Sequence, residues 1–312
     1  MLYDMDDEKQ ELMEIEEEHR RRLRRKAIIC GGIIICCFVI MAIGIMISVN
    51  NKAQKEEINR EELGQNEESV EQKQRRHMQI KKHDLAEIQK NFVPQANPNA
   101  QQQIKDIYNS DEKVAYLTFD DGPSKNITPQ ILDILKQENV PATFFVLGSR
   151  VELAPEIVKR EYEEGHYIAN HGYTHQYSQI YRSKDTVFEE YIQCDNAVKN
   201  ALGNQNYNTY LFRFPGGSSG GKYNDVKAEA KQLLTNYGIA NTNWNCLTGD
   251  AAGNTTVDTL MAEFQKTMAG NGSLIILMHD ASDKSYTVEA LPYVISHLKE
   301  QGYSFKNFYE IF

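Results

Sequence analysis

Cysteine is scarce in this chain, and the few present build no framework. Of five in 312 residues, Cys30, Cys36 and Cys37 fall within one apolar run, where each reads as a small apolar side chain, with acylation the sharper alternative. Only Cys194 and Cys246 lie elsewhere; a single bond between them stays open, but a disulfide-stapled scaffold is excluded. Positive charge is in deficit too. With a net charge of −10 the chain lacks the basic face of a nucleic-acid binder, and no nucleic-acid partner is expected. No glycine-rich phosphate loop follows the first strand-like run, which argues against a nucleotide-binding open sheet. The N-terminal apolar run has no small-residue cleavage site after it, so a removed leader is not expected.

What is present is sorted by region. Ala27 to Val49 carries no charge and is rich in Ile, Val, Phe, Met and Gly. As a helix it reaches roughly 35 Å, enough to cross a hydrocarbon core of about 30 Å. Arg20 to Lys26 crowd its N-terminal flank, whereas Lys52, Lys55 and Arg60 are sparser beyond it. The bias of basic residues toward the cytoplasm predicts a single-pass membrane protein: an acidic cytoplasmic tail over 1–26, a transmembrane helix over 27–49, and everything later outside the cell. Residues 50–110 are rich in Glu, Gln, Lys and Asn, with apolar positions too irregular for a heptad, and read as a partly helical stalk.

From 111 to 312 the pattern becomes alternating strand and helix. Strand-like runs fall at 113–119, 142–147, 166–170, 209–214, 239–246, 273–278 and 303–305, with helical patterns near 127–138, 151–164, 185–201, 224–237, 256–268 and 287–300. Gly165, Gly203, Gly238 and Gly302 stand where helices should end. About seven parallel strands alternating with helices predict an α/β fold, a (β/α) barrel, with an open doubly wound sheet as the alternative.

Active-site groups of such barrels gather where strands end. Those ends read Thr118-Phe119-Asp120-Asp121-Gly122, Asn170-His171-Gly172-Tyr173-Thr174-His175, Arg213-Phe214-Pro215-Gly216-Gly217, Trp244 to Asp250, and Leu277-Met278-His279-Asp280. Two adjacent carboxylates repel unless a cation or an arginine neutralises them, although Asp-Gly is also a common turn. Two imidazoles four residues apart can share a metal, and with a carboxylate from the first strand they form a two-His, one-carboxylate site with open positions. Arg213 can pair with one aspartate or lie on the surface. His279 suits a general acid, or plain packing. Trp244 is the only tryptophan.

In this order the strings TFDDG, HGYTH, RFPGG, the GD after WNCLT, and LMHD resemble the five motifs of the polysaccharide deacetylases, the NodB-homology group or carbohydrate esterase family 4. The likeness covers about 111–312. It implies a distorted (β/α) barrel and a divalent metal, zinc first, with cobalt, manganese or nickel as alternatives. It further implies Asp121, His171 and His175 as metal ligands, Asp120 as the base, and Arg213 as the residue orienting Asp120. The Gly216 N–H would stabilise the oxyanion, His279 would be the acid with Asp250 holding its tautomer, and Leu277 and Pro215 would line the substrate groove, with Trp244 reading equally as a further groove wall or as core. The chain departs from the pattern twice: Gly216 stands where the third motif often has an aromatic, and Ala251 follows Asp250 where the family usually has tryptophan. The expected activity is hydrolysis of N-acetyl groups on a cell-surface polysaccharide, with peptidoglycan the nearest polymer to an anchored, exported domain. Chitin-like oligomers and O-acetylated xylan are alternative substrates. A non-haem iron oxygenase, built on the same ligand set, and a catalytically degenerate glycan-binding module are the rivals of other classes.

Overall fold

The structure, a computed structural model, describes residues 97–253 and 256–312. The expected tail, membrane span and most of the stalk lie outside the described residues. Among the described residues no helix is long and apolar enough to cross a membrane.

The sheet is built on β1 (Val114–Asp120), β2 (Ala142–Val146), β3 (Tyr167–Asn170), β4 (Leu211–Phe212), β5 (Ala240–Asn241), β6 (Cys246–Leu247), β7 (Leu274–His279) and β8 (Ser304–Phe305). Every pairing is parallel, in the order β5-β4-β3-β2-β1-β7-β6, with β8 beside the start of β1. The helices are α1 (Ala100–Tyr108), α2 (Thr128–Glu138), α3 (Gly148–Leu153), α4 (Pro155–Glu163), α5 (Tyr177–Ile180), α6 (Lys184–Leu202), α7 (Asn224–Asn236), α8 (Val257–Met268) and α9 (Ser285–Glu300).

The expected single strand over 239–246 is corrected to two. β5 and β6 stand at opposite ends of the strand order, yet only Thr242 to Asn245 separate them. Those residues reach at most about 18 Å, whereas a flat sheet of seven strands would hold its edges roughly 29 Å apart. The sheet must therefore curl, and the result is a distorted (β/α) half-barrel rather than an open sheet. The chain can cross between edges because asparagines take over from strand pairing. Asn245 donates its N–H to the Ile275 carbonyl at 3.2 Å and accepts from the Ile275 N–H through its side chain at 2.8 Å.

The stalk boundary is corrected as well. Ala100, Ile104 and Ile107 fall on one face of α1 and are buried with Val114 and Tyr116 in a core cluster. The Gln101 side chain accepts from the Asn241 N–H and donates to the Asn241 carbonyl, at 2.9 and 3.1 Å, so α1 covers the exposed edge of β5. Residues assigned to the stalk thus belong to the folded domain from at least 97.

Strand alternation decides which side chains face which layer. Ala115, Leu117 and Phe119 of β1, Phe144 and Val146 of β2 and Leu274, Ile276 and Met278 of β7 join the large cluster with Leu132, Leu135, Val198, Leu291 and Leu298 of the helices. The alternate positions Val114, Tyr116, Phe145, Tyr167, Ala169, Leu211 and Ile275 face the other way, into a second cluster. By the same alternation Thr118, Asp120, His171, Arg213, Leu277 and His279 turn toward that inner side. The long helix α6 starts at a reciprocal Ser183–Thr186 capping box and ends at Gly203 with φ +63°. Cys194 and Cys246 are both buried and free, so the open question of a disulfide resolves to two thiols.

Candidate active site

Two residues end β1 and diverge. Asp120 is buried; its Oδ1 accepts from Arg213 Nη1 at 2.8 Å, and its Oδ2 stands 3.7 Å from His171 Nε2. Burial holds its carboxyl above the ordinary aspartate range, with the Arg213 charge opposing. Asp121 takes a left-handed backbone, φ +77°, and this swings its carboxylate toward the histidine loop. Its Oδ1 lies 3.5 Å from His171 Nε2 and 3.3 Å from His175 Nε2.

The histidine loop is fixed from two directions. Glu190 of α6 accepts the N–H of Tyr173 at 2.6 Å, the N–H of Thr174 at 2.7 Å and the Thr174 hydroxyl at 2.7 Å. His171 Nδ1 sits 2.7 Å from the Arg213 carbonyl, an acceptor that requires the proton on Nδ1 and leaves the Nε2 lone pair facing the carboxylates. Burial drives the His171 imidazole down to about 3, so it is neutral.

Ligand atoms of Asp121, His171 and His175 all lie within 4.8 Å of one another. Asp121 Oδ1 is buried and makes no hydrogen bond among the described residues. A buried carboxylate oxygen with no donor, facing two imidazole nitrogens, fits a divalent cation: neutral imidazole and one carboxylate make a borderline-soft donor set.

Arg213, wholly buried, ties the strands together. Nη1 donates to Thr118 Oγ1 at 2.7 Å as well as to Asp120, Nη2 donates to the Asn243 carbonyl at 3.0 Å, and the guanidinium lies 3.9 Å over the Phe145 ring. In the turn beyond it, the Pro215 carbonyl accepts from the Tyr181 hydroxyl at 2.7 Å. Gly217 donates to the Phe214 carbonyl, while the Gly216 N–H makes no bond among the described residues. Trp244 is half-buried against the inner core cluster, and its ring edge is 3.5 Å from where a Cβ of Gly217 would be. It is core and loop support together.

Across the mouth, His279 ends β7. Its Nδ1 lies 2.8 Å from Asp250 Oδ1, and its backbone N–H donates to Asp250 Oδ2 at 2.7 Å, where the Thr287 hydroxyl also donates at 2.8 Å. Burial alone would lower the imidazole, but the Asp250 hydrogen bond and charge outweigh it and push His279 up to about 9. The same bond holds Asp250 below its ordinary value against its own burial. Leu277 is almost fully buried one alternate position before His279.

All eleven residues singled out in the sequence are on these strand ends or the turns that follow them. Three further residues were missed. Asp280 is buried, accepts from the Thr128 hydroxyl at 2.6 Å and is raised by burial to about 7; a Cβ on Gly122 would collide with it at 1.9 Å. It lay within the quoted LMHD string, so adjacency was an available signal. Glu190, inside a helix, and Tyr177, beyond the second histidine, carried no signal of their own.

The polysaccharide deacetylase family profile matches residues 107–239. Two peptidoglycan-N-acetylglucosamine deacetylases of Bacillus cereus are similar to this chain. One is 35% identical over 205 residues, covering 64% of this chain and 71% of its own length. The other is 36% identical over 202 residues, covering 63% and 86%. A family 4 carbohydrate esterase from Streptococcus mutans superposes with a TM-score of 0.60 at 33% identity, over 70% of this chain and 92% of its own.

Proposed function

Because the chain belongs to the polysaccharide deacetylase family of hydrolases, we propose that its folded domain removes N-acetyl groups from N-acetylglucosamine residues of peptidoglycan. Family membership removes the oxygenase reading. One observation carries the proposal. A neutral-histidine and carboxylate cluster, a buried aspartate on an arginine, and a histidine charged by its own aspartate face one mouth. The similarity to deacetylases of peptidoglycan supports this choice of substrate.

Asp121, His171 and His175 are the residues that would hold the metal, zinc by donor type. When bound, such an ion polarises an acyl oxygen and makes water acidic near neutral pH. Asp120, its Oδ1 engaged by Arg213, keeps Oδ2 to accept the proton of the attacking water. The Gly216 N–H donates to the acyl oxygen as negative charge builds there. His279, its Nδ1 occupied by Asp250, keeps Nε2 to hand a proton to the departing amine. The span over 27–49 anchors the protein, with the domain on the outer face of the membrane.

The test is the full-length protein with zinc on purified peptidoglycan, followed by mass spectrometry of the muropeptides. Loss of acetyl groups with free amine appearing on glucosamine is expected. No change in the muropeptides, with rapid acetate release from acetylated xylan, would overturn the substrate.

The charge on His279 sets a pH dependence. Its folded value near 9 lies above the ordinary 6.5, so the Asp250 bond stabilises the fold fully below about pH 6.5 and is lost as pH rises through 9. Activity needing this proton falls over the alkaline side of that window. In Asp250→Asn the alkaline limb of kcat/KM should move down toward 6.5; an unmoved limb would remove His279 from the acid role.

A further inference from the structure

A side chain at Gly216 would be strained here, for two independent reasons. Its backbone is left-handed at φ +71°. A Cβ built on it would also lie 2.5 Å from the Tyr177 hydroxyl and 3.0 Å from Tyr177 Cζ. Tyr177 thus overlies the Pro215-Gly216 turn, reaching it from the histidine loop.

Its position is built rather than incidental. Tyr177 opens α5, two residues after His175, and the two rings meet at 61° with centroids 5.5 Å apart. Behind it, the buried Tyr181 ring stands 5.8 Å away, and the Tyr181 hydroxyl is the donor that holds the Pro215 carbonyl. One short helix therefore seats the Tyr177 ring and fixes the turn beneath it. With this backing Tyr177 is still 39% exposed, beside the metal-ligand cluster on one side and the Gly216 amide on the other. A large amphipathic ring left open at the mouth of a polar site is suited to the mixed apolar and hydroxylated face of a pyranose.

We propose that Tyr177 is the substrate-positioning wall of this chain: it fills the space that residue 216 leaves without a side chain, and its exposed face takes the sugar ring that bears the reacting acetyl group. The inference rests on the deacetylase reading above.

The test compares a tetrasaccharide of N-acetylglucosamine with 4-nitrophenyl acetate, which has the acetyl group but no sugar, using the full-length protein with zinc. Tyr177→Ala should cost about ten-fold more in kcat/KM on the tetrasaccharide than on the aryl acetate, the excess appearing in KM. Tyr177→Phe, which keeps the ring, should stay within about three-fold of the parent on both. Equal losses on the two substrates would mean that Tyr177 only packs the loop, and no loss on either would mean that it touches no sugar; both overturn the proposal. A phenylalanine variant as poor as alanine would transfer the effect to the hydroxyl and overturn the wall. A parent protein inert on both substrates would instead refute the deacetylase reading.

Discussion

Replacing His171 by alanine is expected to reduce deacetylation below detection and to weaken zinc binding by more than 100-fold. Loss of an outer-shell partner of a metal ligand already costs about 10–100-fold, and removal of the ligand exceeds that. His171 also supports the fold, because its Nδ1 proton is given to the Arg213 carbonyl at 2.7 Å. The variant leaves that buried acceptor without its donor, at about 1–3 kcal/mol, so a lower Tm accompanies the lost activity. His175→Ala separates the two effects. His175 is one-third exposed, and its ring nitrogen faces Asp121 at 3.3 Å. Its loss should remove activity and metal affinity with a smaller change in Tm. Zinc titration by calorimetry beside a thermal melt checks both variants. Parent-like zinc affinity with full turnover in either would dismantle the ligand assignment.

How much of this site could be read beforehand depended on where each residue sits. β1 is wholly buried and β7 is buried up to its terminal His279, so their apolar runs stand out in sequence, and the polar residues that end them are conspicuous. Asp120, Asp121 and His279 were legible for that reason. The His-x3-His spacing was legible because both imidazoles lie on one short loop. β4, β5 and β6 are two-residue strands with no period to detect, and the 239–246 run concealed a crossing from one sheet edge to the other. The crossing depends on Asn243 and Asn245 side chains bonding to backbone far away in sequence. α1 was assigned to the stalk because its buried face holds only Ala100, Ile104 and Ile107, and the strands it packs on, β5 and β7, lie far along the chain. Glu190 acts through the loop that it holds, and Tyr177 takes its place from the turn at Gly216 that it overlies. A residue whose role comes from a neighbour brought close by folding leaves no local pattern.

Asp120→Asn should lower kcat by about 10²–10⁴-fold with little change in KM, since it removes proton acceptance without removing bulk. The amide oxygen can still accept from Arg213 Nη1, which at present donates to Asp120 at 2.8 Å and to Thr118 at 2.7 Å. What it cannot supply is charge. Arg213 is fully buried, and a buried cation deprived of its counter-ion costs about 3–5 kcal/mol. The single variant is therefore expected to be both slow and less stable, and slowness alone would not prove a base. A second substitution resolves this. In Asp120→Asn/Arg213→Met the unpaired charge is gone, and a flexible thioether chain can lie over the Phe145 ring where the guanidinium now sits at 3.9 Å. Stability should return toward that of the parent, because replacing a whole buried ion pair by apolar groups is often neutral or better. Activity should not return. Turnover recovering along with Tm in the double variant would show that the pair serves the fold only, and would take the base role away from Asp120.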